Sequence, residues 1–280
     1  MKLIRFGEAG KEKPGVVIND TCYDVSDWVE DYDEKFFESG GLGILEKVIS
    51  SNKLPVVKVK RYGCPVKKPS KIVCIGLNYS DHAKETGAAI PAEPVIFMKS
   101  TTALIGPNDD VIIPKNSQKT DWEVELAVVI GKKAQYVEES DAMDYVAGYS
   151  LHNDISEREF QLERGGTWDK GKGCDTFAPI GPWLVTKDEI KDVHNLRLWL
   201  TVNGKTMQNG TTSNLIFKIP LLVSYVSRFM TLLPGDVIST GTPNGVGLAM
   251  KPPVYLKPGD IMELGIDGLG KSKQNVKAYR

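Results

Sequence analysis

The clearest pattern in the chain lies at Thr120–Ile130, TDWEVELAVVI, where polar and apolar residues alternate before the run turns wholly apolar. In an extended strand, side chains two apart share a face. Glu123 and Glu125 therefore project together, and Trp122, Val124 and Leu126 project the other way. Leu126–Ile130 reads as a buried strand, and a second strand-like run, Val146–Asp154, ends on an aspartate. Further short strands are predicted at 2–6, 15–18, Thr21–Val25, Val56–Lys60, Lys71–Ile75, Val95–Lys99, Val111–Pro114, Val185–Lys191, Leu196–Val202 and Val237–Thr240. Asn203-Gly204 is a two-residue hairpin signal. Two Pro-Gly-Asp turns, in Leu233–Asp236 and Lys257–Asp260, each precede a strand. Helices are predicted at Phe36–Ile49, Tyr79–Gly87, Ser156–Arg164 and Asn214–Phe229, the last with Pro220 early in it or kinking it. Asp27 is a candidate cap for one more short helix. Many short strands and few helices give a β-rich α+β fold, not a doubly wound sheet. Cys64–Ser70, CPVKKPS, reads as a linker between a small β-rich N-terminal domain (1–68) and a larger one (69–280).

Composition narrows the class. A chain of 280 residues can bury a sizeable core. A net charge of −1 gives no electrostatic case for nucleic acid or for an anionic membrane. Cys22, Cys64, Cys74 and Cys174 form no CxxC pair, so reduced thiols in a cytoplasmic protein are expected. The N-terminus, MKLIRFGEAGKEK, lacks the apolar stretch of a secretory signal, and no run reaches the length of a membrane span.

Two carboxylates on a strand entering a core are costly unless something positive meets them. With Asp154 they would suit a hard cation, Mg²⁺, Mn²⁺ or Ca²⁺. The same alternation also suits a half-exposed edge strand. In NYSDHAKE, His82 and Glu85 are three apart and share a helix face, a pair able to activate water and also common on ordinary helices. Lys172 stands between two glycines, placed for an oxyanion or simply solvated in a loop. Arg158 and Gln161 share a face, with Arg158 suited to the acidic cluster or to an anionic substrate. Gly241–Gly247, GTPNGVG, has no GK[ST], and Thr242 could help hold a carboxylate or close a plain turn. His152 shares a strand face with Asp154 and reads as a core histidine or a fourth ligand. His194 and the scattered tryptophans are given no chemical role.

Taken in order, GLNYSDHAKE (76–85), DWEVELAVVIG (121–131), NDISEREFQ (153–161), GKGCDTFAPIGP (171–182) and GDVISTGTPNGVG (235–247) resemble the fumarylacetoacetate hydrolase family from about Lys71 onward. The first 70 residues look like the small variable domain of bacterial members. The resemblance implies a mixed β-sandwich or roll, a homodimer and one divalent ion, Mg²⁺ or Mn²⁺. By motif position it makes Glu123, Glu125 and Asp154 metal ligands, His82 and Glu85 a lid dyad, and Lys172 the site lysine. Arg158, Gln161 and Thr242 match substrate-contacting positions. His152 stands where a small residue is frequent, which leaves its effect on substrate choice open. The long motif GTWDKGKGCDTFAP looks most like members named ureidoglycolate lyase or 2,4-diketo-3-deoxy-L-fuconate hydrolase. The implied activity is metal-dependent C–C hydrolysis of an acylpyruvate or a 2,4-diketo sugar acid. Alternatives are a lyase acting on oxaloacetate or ureidoglycolate, and a non-catalytic keto-acid-binding protein. Substrate choice is expected to lie in loops such as Gly87–Pro94 and Thr206–Asn214.

Overall fold

Leu126–Ile130 is apolar on both faces because its strand, Val124–Ile130, runs through the middle of a ten-stranded sheet and is buried throughout. The computed structural model describes residues 1–87 and 89–279; Ala88, within the expected specificity loop, and Arg280 lie outside the described residues. Across the sheet the order is Thr21–Asp24, Lys13–Ile18, Lys2–Phe6, Leu184–Thr186, Val146–Asn153, Val124–Ile130, Val237–Ser239, Ile72–Gly76 and Val95–Lys99, with Tyr62–Gly63 paired beside Lys2–Phe6. Within this sheet, among the described residues, Val237–Ser239 and Ile72–Gly76 form the one parallel pair. A second, five-stranded sheet is built from Lys205–Thr211, Arg197–Val202, Ile261–Ile266, Gly270–Ala278 and Val111–Ile113. It packs against Val124–Ile130 and Val146–Asn153, so the central strands are covered. The whole is a β-rich α+β fold.

The residues expected to form a separate N-terminal domain share this sheet. Lys2 and Leu3 pair with Val185 and Leu184, so strands from both ends of the proposed boundary lie in one ladder. The expected linker is packed rather than extended: Cys64 and Val66 are buried, and Lys67 N donates to Tyr32 O.

Several predicted elements are shorter than their patterns. The helix over 36–49 splits into Glu34–Glu38 and Gly41–Ser51, because Gly40 turns left-handed at φ +73°. Ser156–Glu157 pairs with Thr120–Asp121, so the next helix begins only at Arg158 and ends at Leu162. The helix expected from Asn214 starts at Ile219, with Pro220 in the first turn, where its missing N–H leaves no bond unmade. Val56–Lys60 makes one isolated bridge, Tyr23 to Val56, and no strand. The Leu184–Thr186 strand stops where a short 3₁₀ turn, Lys187–Glu189, takes over, and Asp27 caps no helix. Asn203 and Gly204 both have positive φ (50° and 78°), which closes the predicted hairpin. In both Pro-Gly-Asp turns the aspartate carboxylate accepts from the backbone three residues earlier, at Leu233 and Lys257. No helix among the described residues is long and apolar enough to cross a membrane.

Candidate active site

The strand carrying Glu125 does not extend through Glu123, as the alternation predicts. It breaks between Asp121 and Val124. Side chains replace the ladder there: Asn153 Oδ1 accepts from Glu123 N (3.2 Å), and Gln208 Oε1 accepts from Val124 N (2.9 Å). Asp154 N then donates to Glu123 O at 2.8 Å, which fastens the end of the neighbouring strand to this break. The result brings Glu123, Glu125 and Asp154 together, each offering an oxygen within 4.8 Å of the others, and all three are buried. A half-exposed edge strand is thereby excluded.

The carboxylates are held by a network of partners, some of them shared. Glu125 Oε2 accepts from Ser239 Oγ (2.6 Å) and from Gly241 N (2.9 Å). Lys172 Nζ donates to Glu123 (2.6 Å) and to Asp154 (2.8 Å). Lys99 Nζ donates to the other Asp154 oxygen at 2.6 Å and to Ile155 O at 3.0 Å. Arg158 spans Asp121 (Nε, 2.8 Å) and Glu123 (Nη2, 2.6 Å), and its Nη1 donates to Gln161 Oε1 at 3.0 Å. Burial pushes Glu125 well above the ordinary carboxylate range, with Asp154 and Glu123 adding to it. Burial works the same way on Asp154, but Lys172 and Lys99 overcome it and hold that carboxyl below its usual range. Against burial, Asp154 and Glu123 raise Lys172, which keeps it an ammonium.

Across the cavity, helix Ser80–Thr86 carries the expected dyad. His82 Nδ1 lies 3.4 Å from Glu85 Oε2, and Glu85 in turn accepts from Gly245 N at 3.0 Å. The helix is thus tied to the Gly241–Gly247 loop, and a second tie runs from Asn214 Nδ2 to Asp81. Thr242 Oγ1 donates to Val124 O and accepts from Gln208 Nε2, so its first task is to pin the loop to the strand break. His82, Glu123, Glu125, Arg158, Gln161, Lys172 and Thr242 all line one cavity. Asp154 and Glu85 adjoin it through their partners.

Four residues at the site were not singled out from sequence. Asp121 accepts from Gly247 N (2.7 Å) and Leu248 N (3.0 Å) as well as from Arg158. Lys99, Ser239 and Gln208 complete the set. Only Lys99 left a trace in sequence: a lysine closing the apolar run VIFMK is expensive unless a buried anion meets it. His152 is buried beside Ser239 rather than placed as a ligand, with Nδ1 2.6 Å from Ser239 Oγ.

Three oxygen donors and no soft ligand fit a hard divalent cation. With all groups charged, Asp121, Glu123, Glu125 and Asp154 face Lys99, Lys172 and Arg158, four against three. A doubly charged ion would turn this excess of one negative charge into one positive charge, which suits a carboxylate guest.

The fold and this site define an enzyme class built around a buried acidic triad at the floor of a cavity. Residues 71–277 match the model of the fumarylacetoacetate (FAA) hydrolase C-terminal domain, and the chain belongs to that family. A Burkholderia multivorans protein carrying a provisional hydrolase name is 52% identical over 283 residues, covering 100% of both chains. The 5-carboxymethyl-2-hydroxymuconate delta-isomerase of Mycobacterium smegmatis is 32% identical, with a TM-score of 0.80 and 100% of each chain covered. Maleylpyruvate hydrolase from Sphingobium sp. SYK-6, solved with manganese(II) and pyruvate, is 30% identical, with a TM-score of 0.83 and 100% of each chain covered.

Proposed function

We propose that this chain is a divalent-metal-dependent hydrolase that cleaves a C–C bond in a 2,4-diketo acid of the acylpyruvate kind, releasing pyruvate and a second acid. The observation that carries this reading is the convergence of Glu123, Glu125 and Asp154, with Glu123 and Glu125 lining the same cavity as His82, whose partner is Glu85. A similar protein, maleylpyruvate hydrolase, was solved with manganese(II) and pyruvate, which supports both the ion and the product.

Glu123, Glu125 and Asp154 would hold Mg²⁺ or Mn²⁺, and the bound ion would supply Lewis-acid polarisation of the keto-acid oxygens. His82, its ring oriented by Glu85, takes a proton from water, and the water oxygen adds to the distal carbonyl carbon. Lys172 has three ammonium protons, two of them given to Glu123 and Asp154, and the third is available to the developing oxyanion. The C3–C4 bond then breaks with its electron pair passing to C3, and the proton taken up by His82 returns to C3 to complete pyruvate. Arg158, Gln161 and Thr242 support the substrate from the cavity wall. A lyase acting at this site needs no positioned water, and the imidazole on the wall favours hydrolysis over it.

The test is pyruvate release from a panel of acylpyruvates with Mg²⁺ or Mn²⁺ and after chelation. Turnover should require the ion, and His82→Ala should retain ligand binding while losing most of the rate. Full activity in chelator-treated protein would sink the reading.

A further inference from the structure

One part of the cavity lining is apolar: Ile75, Phe97, Leu162, Trp168, Val246 and Leu248. Phe97 begins the apolar part. Its ring centroid lies 4.9 Å from Lys172 Nζ on one side and 5.4 Å from the Trp168 ring on the other, tilted at 59°. Aromatic, aromatic and ammonium thus form one continuous step from the wall to the floor.

Trp168 is held for this place. Its carbonyl accepts from Lys172 N (3.1 Å), so the tryptophan and the site lysine move as one helical turn. The neighbouring Asp169 carboxylate accepts from Met98 N at 3.0 Å, which fixes that turn to the strand carrying Phe97. The indole lies over Gly76, where any Cβ would stand 2.4 Å from the ring. A glycine at the strand end is what admits the tryptophan to the wall. Leu162, at the mouth, is 48% exposed, an apolar side chain left in water next to an aromatic shelf.

The geometry points to an uncharged, apolar distal group on the substrate, an alkyl or aryl acyl end resting on Phe97 and Trp168, with Trp168 as the residue that sets this preference. This rests on the acylpyruvate reading for the other end of the molecule. A carboxylate-terminated substrate would have to lay its second charge against these side chains and lose part of its hydration.

The experiment uses the Mn²⁺-loaded full chain and two probes, a phenyl-terminated acylpyruvate and the carboxylate-terminated maleylpyruvate. Calorimetry should show the phenyl probe binding at least about tenfold tighter, with kcat/KM following the same order. Trp168→Ala should raise KM for the phenyl probe about tenfold and far more than for maleylpyruvate, with Mn²⁺ affinity retained, and Trp168→Phe should recover most of the loss. Equal or tighter binding of maleylpyruvate, binding of neither probe, or an equal effect of Trp168→Ala on both would overturn the assignment. A phenyl preference in binding without any pyruvate release would uphold the apolar subsite and refute the hydrolase reading instead.

Discussion

His152 and Ser239 meet beneath the acidic triad, with Nδ1 and Oγ 2.6 Å apart. The serine has one proton and gives it to Glu125 Oε2, so His152 Nδ1 must carry the hydrogen between them. Burial holds the imidazole pKa down to about 3, which keeps it neutral, and the bond to Ser239 selects the tautomer. Partners behind a metal-ligating side chain orient it, and their loss weakens metal affinity about 10–100-fold. Ser239→Ala should weaken Mn²⁺ binding by that order in a calorimetric titration, with the melting curve of the ion-free chain little changed. An unaltered affinity would reduce the pair to core packing.

Glu125 sets a pH dependence. Its raised pKa, caused by burial and then by Asp154 and Glu123, means that the ion-free chain holds this carboxyl's proton up to a higher pH than an ordinary carboxyl does. A metal ligand must be the carboxylate, so ion binding releases a proton. Affinity should therefore tighten as pH rises and weaken as it falls. Titrations in two buffers of different ionisation enthalpy count the protons released. Glu125→Gln should fold, lose the proton release and bind the ion poorly; unchanged release would place the titrating group elsewhere.

The acidic trio was legible because its members sit on or beside strand-like runs. Glu123 and Glu125 sit two apart, and Asp154 ends a run apolar enough to be read as a strand. His82 and Glu85 were legible as neighbours on one helix face. The groups that hold them were not. Ser239 lies 114 positions from Glu125, and Gln208 reaches the Val124 amide from the second sheet. Such partners are chosen by tertiary packing, which leaves no period in the sequence. The break at Trp122–Glu123 was hidden likewise, because Asn153 and Gln208 satisfy backbone groups that a ladder would otherwise claim. Of the C-terminal strands, Ile261–Ile266 follows the Lys257–Asp260 turn as expected, whereas Gly270–Ala278 escaped notice because lysines and polar residues crowd its outward positions.

Gly245 connects the dyad to the strand break. Its N–H donates to Glu85, and its carbonyl accepts from Trp122 Nε1 at 3.1 Å. It does so at φ +100°, with any Cβ 2.0 Å from Met207 O. Gly245→Ala should cost about 1–3 kcal/mol from backbone strain alone, with the clash added. The melting temperature should fall by several degrees, and turnover should drop more than Mn²⁺ affinity does, since Glu85 loses its anchor and the carboxylate trio does not. Loss of both in equal measure would mean that the loop supports the whole site and not the dyad.

The last prediction concerns the shared sheet. Arg5 grips Asp31 with two nitrogens (2.6 and 3.1 Å), both residues are buried, and Arg5 Nη1 also donates to Cys64 O at 3.2 Å. Removing the carboxylate strands a buried guanidinium, with Glu12 at 3.5 Å as its remaining acidic neighbour, and breaking such a pair costs about 3–5 kcal/mol. Asp31→Ala should lower stability by that amount in denaturant. Because Lys2–Phe6 pairs with Leu184–Thr186, that loss should appear in one transition sensed by the whole chain, not in an early melting of residues 1–68. Two resolved transitions, with Mn²⁺ binding retained between them, would instead give the N-terminal unit its own stability and make the boundary at residue 68 a thermodynamic one.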